Sequence, residues 1–144
     1  MRNKGIFITI GLTIIIGLVI SLVALKQSNE LKAMLDTSVS SMSLTTGTEV
    51  RRSIEDNNTT LGKPIAARVI IEYKPKDNYS EKDVFDEIVQ NLLDEHWQKE
   101  DLNTNQPGFF IASLSQDAFI IEAAVSSQPD RGIVSILLGT VPHN

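Results

Sequence analysis

The sequence predicts an α+β protein in which one helix packs on an antiparallel-rich sheet, with a transmembrane helix preceding both. Three observations lead to this fold class. Residues 5–25 form an apolar run without a charge, residues 81–99 repeat apolar side chains at helical spacing, and four short segments are rich in β-branched and aromatic residues. The predicted order after the anchor is β-α-β-β-β. The predicted parts are a cytoplasmic tail (1–4), an anchor (5–25), a juxtamembrane helix and flexible stalk (26–63) and a globular domain (64–144).

The apolar run is long enough to cross a membrane. A helix over residues 6–25 rises about 30 Å, at about 1.5 Å per residue, which matches the hydrocarbon core of a bilayer. The run is longer than the core of a usual signal peptide, and Leu22 stands where cleavage after Ala24 needs a small residue. We therefore interpret it as an uncleaved single-pass anchor. The predicted anchor residues include Ile6, Leu12, Ile15, Leu18, Leu22 and Leu25.

Charges beside the run predict its orientation. Arg2 and Lys4 precede it, whereas Lys26 and Lys32 follow it among acidic residues. Positive charge is enriched on the cytoplasmic side of membrane helices, so we expect a cytoplasmic N-terminus and a periplasmic or extracellular C-terminal domain. The chain contains no cysteine, which excludes a lipid-modified cysteine anchor and suits a bacterial envelope protein that folds without disulfides.

The segment after the anchor is expected to be a helix that passes into a tether. Apolar residues from 31 to 42 recur at helical spacing, so the membrane helix is expected to continue outward for several turns. Residues 37–48 are dominated by serine and threonine and residues 57–62 are polar, which favours a mobile stalk. Between these stretches, residues 49–56 are expected to form a helical turn.

The helix predicted over residues 81–99 has one broad apolar face. The members of this face are Val84, Phe85, Ile88, Val89, Leu92, Leu93 and Trp97. Acidic and amide side chains take the opposite side, as in a helix that packs one face on a core. Ser80 is placed to cap the helix at the amide of Asp83.

Four segments are predicted to be strands, over residues 67–74, 109–114, 118–125 and 133–138. Turns are expected at residues 116–117 and 129–132, and a polar loop at residues 101–108. The helix needs a sheet face to cover its apolar side, so we expect a two-layer sandwich of one helix on four strands, the last three forming an antiparallel meander. The other face is expected to carry Ile70, Glu72, Ser113, Glu122 and Ser135 and to be solvated or covered by the stalk or a partner.

Charge narrows the range of partners. The chain has a formal net charge of −5, and beyond residue 26 ten basic and eighteen acidic residues leave a charge of −8. An acidic domain repels phosphate backbones, so nucleic acid is not an expected partner. The expected partners are the membrane, crossed once, and a protein of the cell envelope.

Residues that carry catalytic chemistry are sparse. His96 and Glu100 have the spacing of two metal ligands on a helix, but neither a third ligand nor a thiolate accompanies them, so no metal and no cofactor are expected. His143 is next to the C-terminus. Serines are plentiful, but no nucleophile elbow, phosphate loop or spaced carboxylate pair is present. Trp97 continues the apolar face of the helix and is expected in the core.

Three functions remain open on this basis. The first is a single-pass envelope protein that presents a small acidic binding or scaffolding domain outside the membrane. The second is an immunity or inhibitor protein that neutralises an extracytoplasmic toxin or hydrolase through its acidic surface. The third, a small anchored enzyme, is disfavoured by the missing motifs, and the expectation is a protein without enzymatic activity.

Overall fold

Six β-strands form the framework of the protein. The computed structural model describes residues 29–57 and 66–142, together with Val19 and Lys26. Its strands are β1 (Gly47–Asn57), β2 (Ala66–Pro75), β3 (Gln98–Gln106), β4 (Phe109–Gln116), β5 (Phe119–Gln128) and β6 (Ile133–Pro142). They form one sheet in the order β1-β2-β6-β5-β4-β3, and every neighbouring pair is antiparallel.

The meander predicted for the last three strands is confirmed as β4, β5 and β6. The chain reverses at Asp117, which has a left-handed φ of 53°, and again at Gly132 with a φ of 61°. Glycine and aspartate tolerate this backbone region better than most residues, which explains their use in these turns. The first predicted strand, now β2, pairs with the last strand along residues 67–73.

Two helices accompany the sheet. Helix α1 covers the described residues 29–41, and α2 is Glu81–Asp94. The predicted cap of α2 is confirmed as a capping box, in which Ser80 Oγ accepts from the amide of Asp83 and the Asp83 carboxylate accepts from the amide of Ser80. Acidic side chains in the first turn interact favourably with the positive end of the helix dipole.

The predicted C-terminal end of α2 is wrong by one turn. The helix stops at Asp94, where the amide of Trp97 donates to the Leu92 carbonyl and that of His96 to Leu93. This is a Schellman ending with His96 in the left-handed position, at φ 71°. Trp97 is nevertheless buried, at 2% exposure, because the ending turns the chain back and the side chain joins the hydrophobic core.

Two further expectations are wrong at the level of secondary structure. Residues 49–56, expected as a helical turn in a stalk, belong to β1, and most of the loop expected over residues 101–108 belongs to β3. Both are outer strands of the sheet. An outer strand needs backbone pairing on one side only and tolerates polar side chains, so these segments lack the apolar alternation that marks inner strands. The sheet therefore has six strands instead of four.

Both helices pack on the same face of the sheet. Helix α2 lies over β4 and β5, and α1 lies beside β1 and β2, where its side chains line two cavities shared with these strands. The core is continuous between the two helices. It includes Leu35 and Val39 of α1, Val84, Phe85, Ile88, Val89 and Leu92 of α2, and Val69, Ile71, Ala112, Leu114, Ile121, Ala123, Ile136 and Leu138 of the sheet. The expected α+β class, with a helix on an antiparallel sheet, is thus confirmed, and α1, which the sequence places in a juxtamembrane segment, is a second helix of the core.

The predicted anchor lies outside the described residues, apart from Val19. Among the residues that are described, no helix combines the length and apolarity needed to cross a bilayer. The tail, the anchor and residues 58–65 of the predicted stalk therefore stay predictions.

Candidate functional site

The face of the sheet opposite the helices, here called the open face, is not covered by either of the two described helices. Side chains of directly paired residues in antiparallel strands point to the same side, so the register assigns each residue to a face. Helix-side positions include Val69, Ile71, Leu138 and Ile136, which are at most 2% exposed. The alternate positions of the same strands make up the open face.

The middle of the open face is an apolar row across four adjacent strands, here called the central row. Ile70 of β2 pairs with Leu137 of β6, Leu137 with Ala124 of β5, and Ala124 with Ile111 of β4. Ser53 of β1 continues the row beyond Ile70. All five side chains are half-buried by their neighbours within the sheet. Their outer surfaces form a continuous apolar strip with a small polar end.

Two more rows flank the central row on the same face. Each of them lies two residues away from the central row along every strand. The upper row consists of Arg51, Glu72, Ser135, Ser126 and Phe109. The lower row consists of Glu55, Arg68, Gly139, Glu122 and Ser113. Phe109 is 40% exposed at the β4 end, which extends the apolar surface. An apolar strip bordered by charged rows has the arrangement of a protein-binding surface.

A fixed ion pair adds one more positive charge beside the upper row. Arg131, from the short 3₁₀ turn Pro129–Arg131, reaches Glu72 through two bonds, Nη1 to Oε1 at 3.0 Å and Nη2 to Oε2 at 3.2 Å. The Gln128 side chain accepts a further bond from Nη1 at 3.2 Å. The arginine hydrogen bond lowers the pKa of Glu72, so the pair stays ionised at neutral pH. With it, the three rows and this turn carry three arginines and three glutamates, and Lys74 lies at the next open-face position of β2.

Within the part of the chain that the structure describes, no helix lies over the open face. The only described elements against it are its own strands and the turn that carries Arg131. The outer strand β1 has Val50 at its register shift and Ile54 paired with the helix-side Val69, each 57% accessible, and neither belongs to the three rows of the open face. An unpaired strand edge next to an apolar face offers backbone groups as well as side chains to a partner.

The segment between α1 and β1 is held by a cluster that we call the linker clamp. One oxygen of Glu87 in α2 accepts from the amide and hydroxyl of Thr45, at 2.7 and 2.6 Å. The other oxygen accepts from the amide and hydroxyl of Thr46, at 3.1 and 2.7 Å. Four donors around one carboxylate tie the end of α1 to α2. Burial alone would raise the pKa of Glu87, but the four hydrogen bonds outweigh it and lower the pKa.

Neighbouring contacts extend the linker clamp. Asn91, one turn after Glu87, accepts a bond from the amide of Ser43 at 3.1 Å. The hydroxyl of Thr46 lies 3.3 Å from that of Tyr73, whose pKa is raised mainly by its burial. At Gly47 an added Cβ would come within 2.3 Å of the Lys74 carbonyl oxygen, so only glycine allows this close entry into β1. These groups are structural and require no ligand.

A cavity lined by polar residues surrounds the histidine that the sequence singled out. It has a volume of about 470 Å³ and is lined by His96, Gln98, Glu100, Ser115, Gln116 and Asp117. The Ser115 hydroxyl donates to the Glu100 carboxylate, so this serine is paired with an acid and not with an imidazole base. The left-handed φ values of His96 and Asp117 are explained by the helix ending and the β4–β5 turn. Among the described residues no three histidine, aspartate or glutamate side chains converge as a metal site would need.

The sequence identified part of the open face and missed the rest. Ile70, Glu72, Ser113, Glu122 and Ser135 lie on it as expected. For Leu137, Ala124 and Ile111 the sequence predicts only strand positions, because β4, β5 and β6 are apolar on both sides and hide their alternation. Arg51, Ser53 and Glu55 were missed because residues 49–56 are expected from the sequence to form a helical turn within the stalk. The seven residues predicted for the apolar face of α2 are buried, except Leu93, which is half-buried.

Comparison of the chain with protein-family models, with curated proteins and with solved structures finds no match.

Proposed function

We propose that the protein is a membrane-anchored binding module that holds a small α+β domain outside the cytoplasmic membrane and binds a protein through the open face. One observation carries the binding role. The central row is continuous and apolar across four strands, on a face that no described helix covers. Such a surface is characteristic of sites where another protein excludes water. The anchor and its orientation are supported by the sequence alone.

The arrangement of charge supports a protein partner over the other expected functions. Three arginines and three glutamates border the central row, so the face repels neither acidic nor basic proteins as a whole. An inhibitor that enters a basic cleft needs an acidic docking surface. The open face does not supply one, and the inhibitor alternative keeps only the sequence-based support of the overall negative charge.

Thiol labelling of the full chain tests the proposal, because the natural sequence contains no cysteine. Ala124→Cys places a thiol in the central row, and Gln90→Cys places a control thiol on the exposed side of α2. We expect a membrane-impermeant maleimide to label the Ala124→Cys chain several-fold more slowly in membranes of the cells that produce it than in dilute detergent. The Gln90→Cys chain should react at the same rate in both.

The same reagent tests the location. In intact spheroplasts the Gln90→Cys chain should be labelled without lysis, because the domain is expected outside. Labelling that requires lysis would contradict the proposed orientation. Equal labelling of the Ala124→Cys chain in membranes and in detergent would show that nothing covers the open face, and the binding role would then be abandoned.

A further inference from the structure

We propose that the partner of the open face is a second copy of this chain, bound face to face about a two-fold axis that runs along the central row. This inference rests on the proposed function, since it identifies the protein that covers the face. Three features of the described residues support it: the pairing of charges between the upper and lower rows, the balance of charge among these rows and Arg131, and the size of the face.

Rotation about the central row exchanges the two flanking rows strand by strand. Arg51 of one copy then faces Glu55 of the other, and Glu72 faces Arg68. Each of these four charges on β1 and β2 therefore meets its opposite, and the relation holds twice in each dimer. The Glu72 carboxylate, which already binds Arg131, has lone pairs left for a second arginine.

The remaining positions are also complementary under this rotation. The exposed Phe109 faces Ser113, so a large side chain meets a small one, and Ser135 faces Gly139. Arg131 adds a second positive charge on the upper side, while Glu122 adds a second negative charge to the lower row. The upper side thus has two arginines and one glutamate, and the lower row has two glutamates and one arginine. Small and opposite partners across an interface permit close packing and fix its register.

The net charge of the chain favours this face over the rest of the surface. The whole chain carries −5, so two copies repel each other over most orientations. The three rows and Arg131 together carry no net charge, and the apolar central row lies in their middle. Self-association through it therefore removes apolar surface from water without bringing like charges together.

The size of the face is sufficient for a dimer. Six strands of eight to eleven residues span an area of roughly 29 Å by 26–36 Å, or about 750–1,000 Å². A standard protein interface buries about 800 Å² on each partner. Two twisted sheets packed face to face align their strands within about 30° and lie about 10 Å apart, which the half-buried side chains of the central row can fill.

The direction of α1 determines how two anchored copies can meet. Helix α1 runs along β2, with Asn29 and Ala33 beside Ala67, and Val39 beside Tyr73. Rotation about the central row reverses the strand direction, so the two α1 helices are antiparallel and their N-terminal ends lie at opposite sides of the dimer. Two anchors in one membrane therefore require a turn in each chain between the predicted span and α1.

Crosslinking of the full chain in membranes distinguishes this dimer from other arrangements. Ser53 and Ile111 lie near opposite ends of the axis, so each faces its own counterpart in the second copy. We expect a short bis-maleimide to link Ser53→Cys chains to each other and Ile111→Cys chains to each other. A mixture of the two variants should give no mixed product that joins position 53 of one chain to position 111 of the other. A two-fold axis that runs parallel to the strands over β6, midway between β1 and β4, would produce that mixed product. The Gln90→Cys chain, with its thiol on the opposite layer, is the control and should stay uncrosslinked.

Charge reversal provides the second measurement. In the Ser53→Cys background, Arg68→Glu places a glutamate opposite Glu72 of the other copy and should lower the crosslinked fraction at least about tenfold. Arg68 is exposed, so the fold of the variant is expected to persist and is checked by its thermal unfolding. Lys82→Glu, which reverses an exposed charge on α2, is the matched control and should leave the fraction unchanged.

Each outcome separates the inference from the proposed function. Absence of Ser53→Cys crosslinks, while the Ala124→Cys thiol stays shielded in membranes, would overturn the second copy as partner and leave a different protein in its place. A predominance of the mixed product between positions 53 and 111, or equal crosslinking of the Gln90→Cys control, would also overturn the proposed dimer. An accessible Ala124→Cys thiol would remove both proposals together.

Discussion

The two faces of the sheet use the same strands for different purposes. On β6, Leu138 points to the helices and is fully buried, whereas the adjacent Leu137 points to the open face and is half-buried. The helix-covered face contains aliphatic residues with two helices over them, and the open face combines one apolar row with two charged rows. The difference shows which apolar residues the fold needs and which it leaves available for association.

Alanine substitution at these two neighbouring leucines should give the largest contrast. Leu138→Ala should lower the free energy of unfolding by about 2–5 kcal/mol, because it leaves a cavity under the helices. Leu137→Ala should lower that of the monomer by less than about 1.5 kcal/mol, since its side chain is already in part exposed to water. Both free energies are measured by urea unfolding in detergent, at one chain per micelle. The signal is the fluorescence of Trp97, which is the only tryptophan of the sequence and is buried. Equal losses would mean that the open face also belongs to the folding core.

The linker clamp joins the two helices that cover one face, so its removal should loosen that covering layer. Glu87→Gln takes away the charge that four donors share and should lower the free energy of unfolding by about 1–3 kcal/mol. Asp86→Asn, at the adjacent exposed position, is the matched control and should cost about 0–1 kcal/mol. A loss at Glu87 no larger than that at Asp86 would show that the clamp does not hold α1.

The same clamp should respond to acid. The pKa of Glu87 is lower in the folded protein than its ordinary value of 4.5, so the carboxylate contributes stability fully above that value. The contribution is lost as the pH falls through the lower pKa of the folded state. Between about pH 6 and about pH 3 the Glu87→Gln chain should therefore lose less stability than the natural chain. Parallel pH curves for the two chains would contradict this assignment.

One residue on the helix-covered face buries a polar group without a hydrogen bond. The Thr140 side chain is fully buried, and its hydroxyl has no hydrogen-bond partner among the described residues. Thr140→Val keeps the shape and removes the unpaired hydroxyl, so it should raise the free energy of unfolding by about 1 kcal/mol. Thr140→Ser, which retains the hydroxyl and loses a methyl group, serves as the control and should not stabilise. Urea unfolding of the two variants and of the natural chain measures the change in the free energy of unfolding.

The smallest expected effect lies at the end of the covering helix. His96 has a left-handed φ of 71° at the position where helix endings favour glycine. His96→Gly should raise the melting temperature by a few degrees, equivalent to about 0.5–1 kcal/mol, because glycine adopts this conformation without steric cost. His96→Ala should give no such gain. Stabilisation by alanine as well would point to the imidazole itself as the unfavourable group.

Local patterns were sufficient for the inner part of the domain. The apolar spacing of α2 and its Ser80 cap, the alternation of β2 and the turns at Asp117 and Gly132 all predicted elements that the structure contains. The helix end was misplaced because Trp97 continues the apolar spacing, although the chain has left the helix before it. The linker clamp was not predicted, because its carboxylate and its threonines are about forty residues apart in the sequence.

The sequence by itself determined the α+β class, the capped amphipathic helix, the meander and the negative charge, because each depends on neighbours within a few residues or on composition. Only the tertiary structure decided that polar segments at residues 47–57 and 98–106 become the outer strands, since their pairing energy comes from distant backbone. The register likewise decided that Ile70, Leu137, Ala124 and Ile111 form one row. A strand specifies which residues alternate, but only its partners specify which of them align and which side the helices leave open.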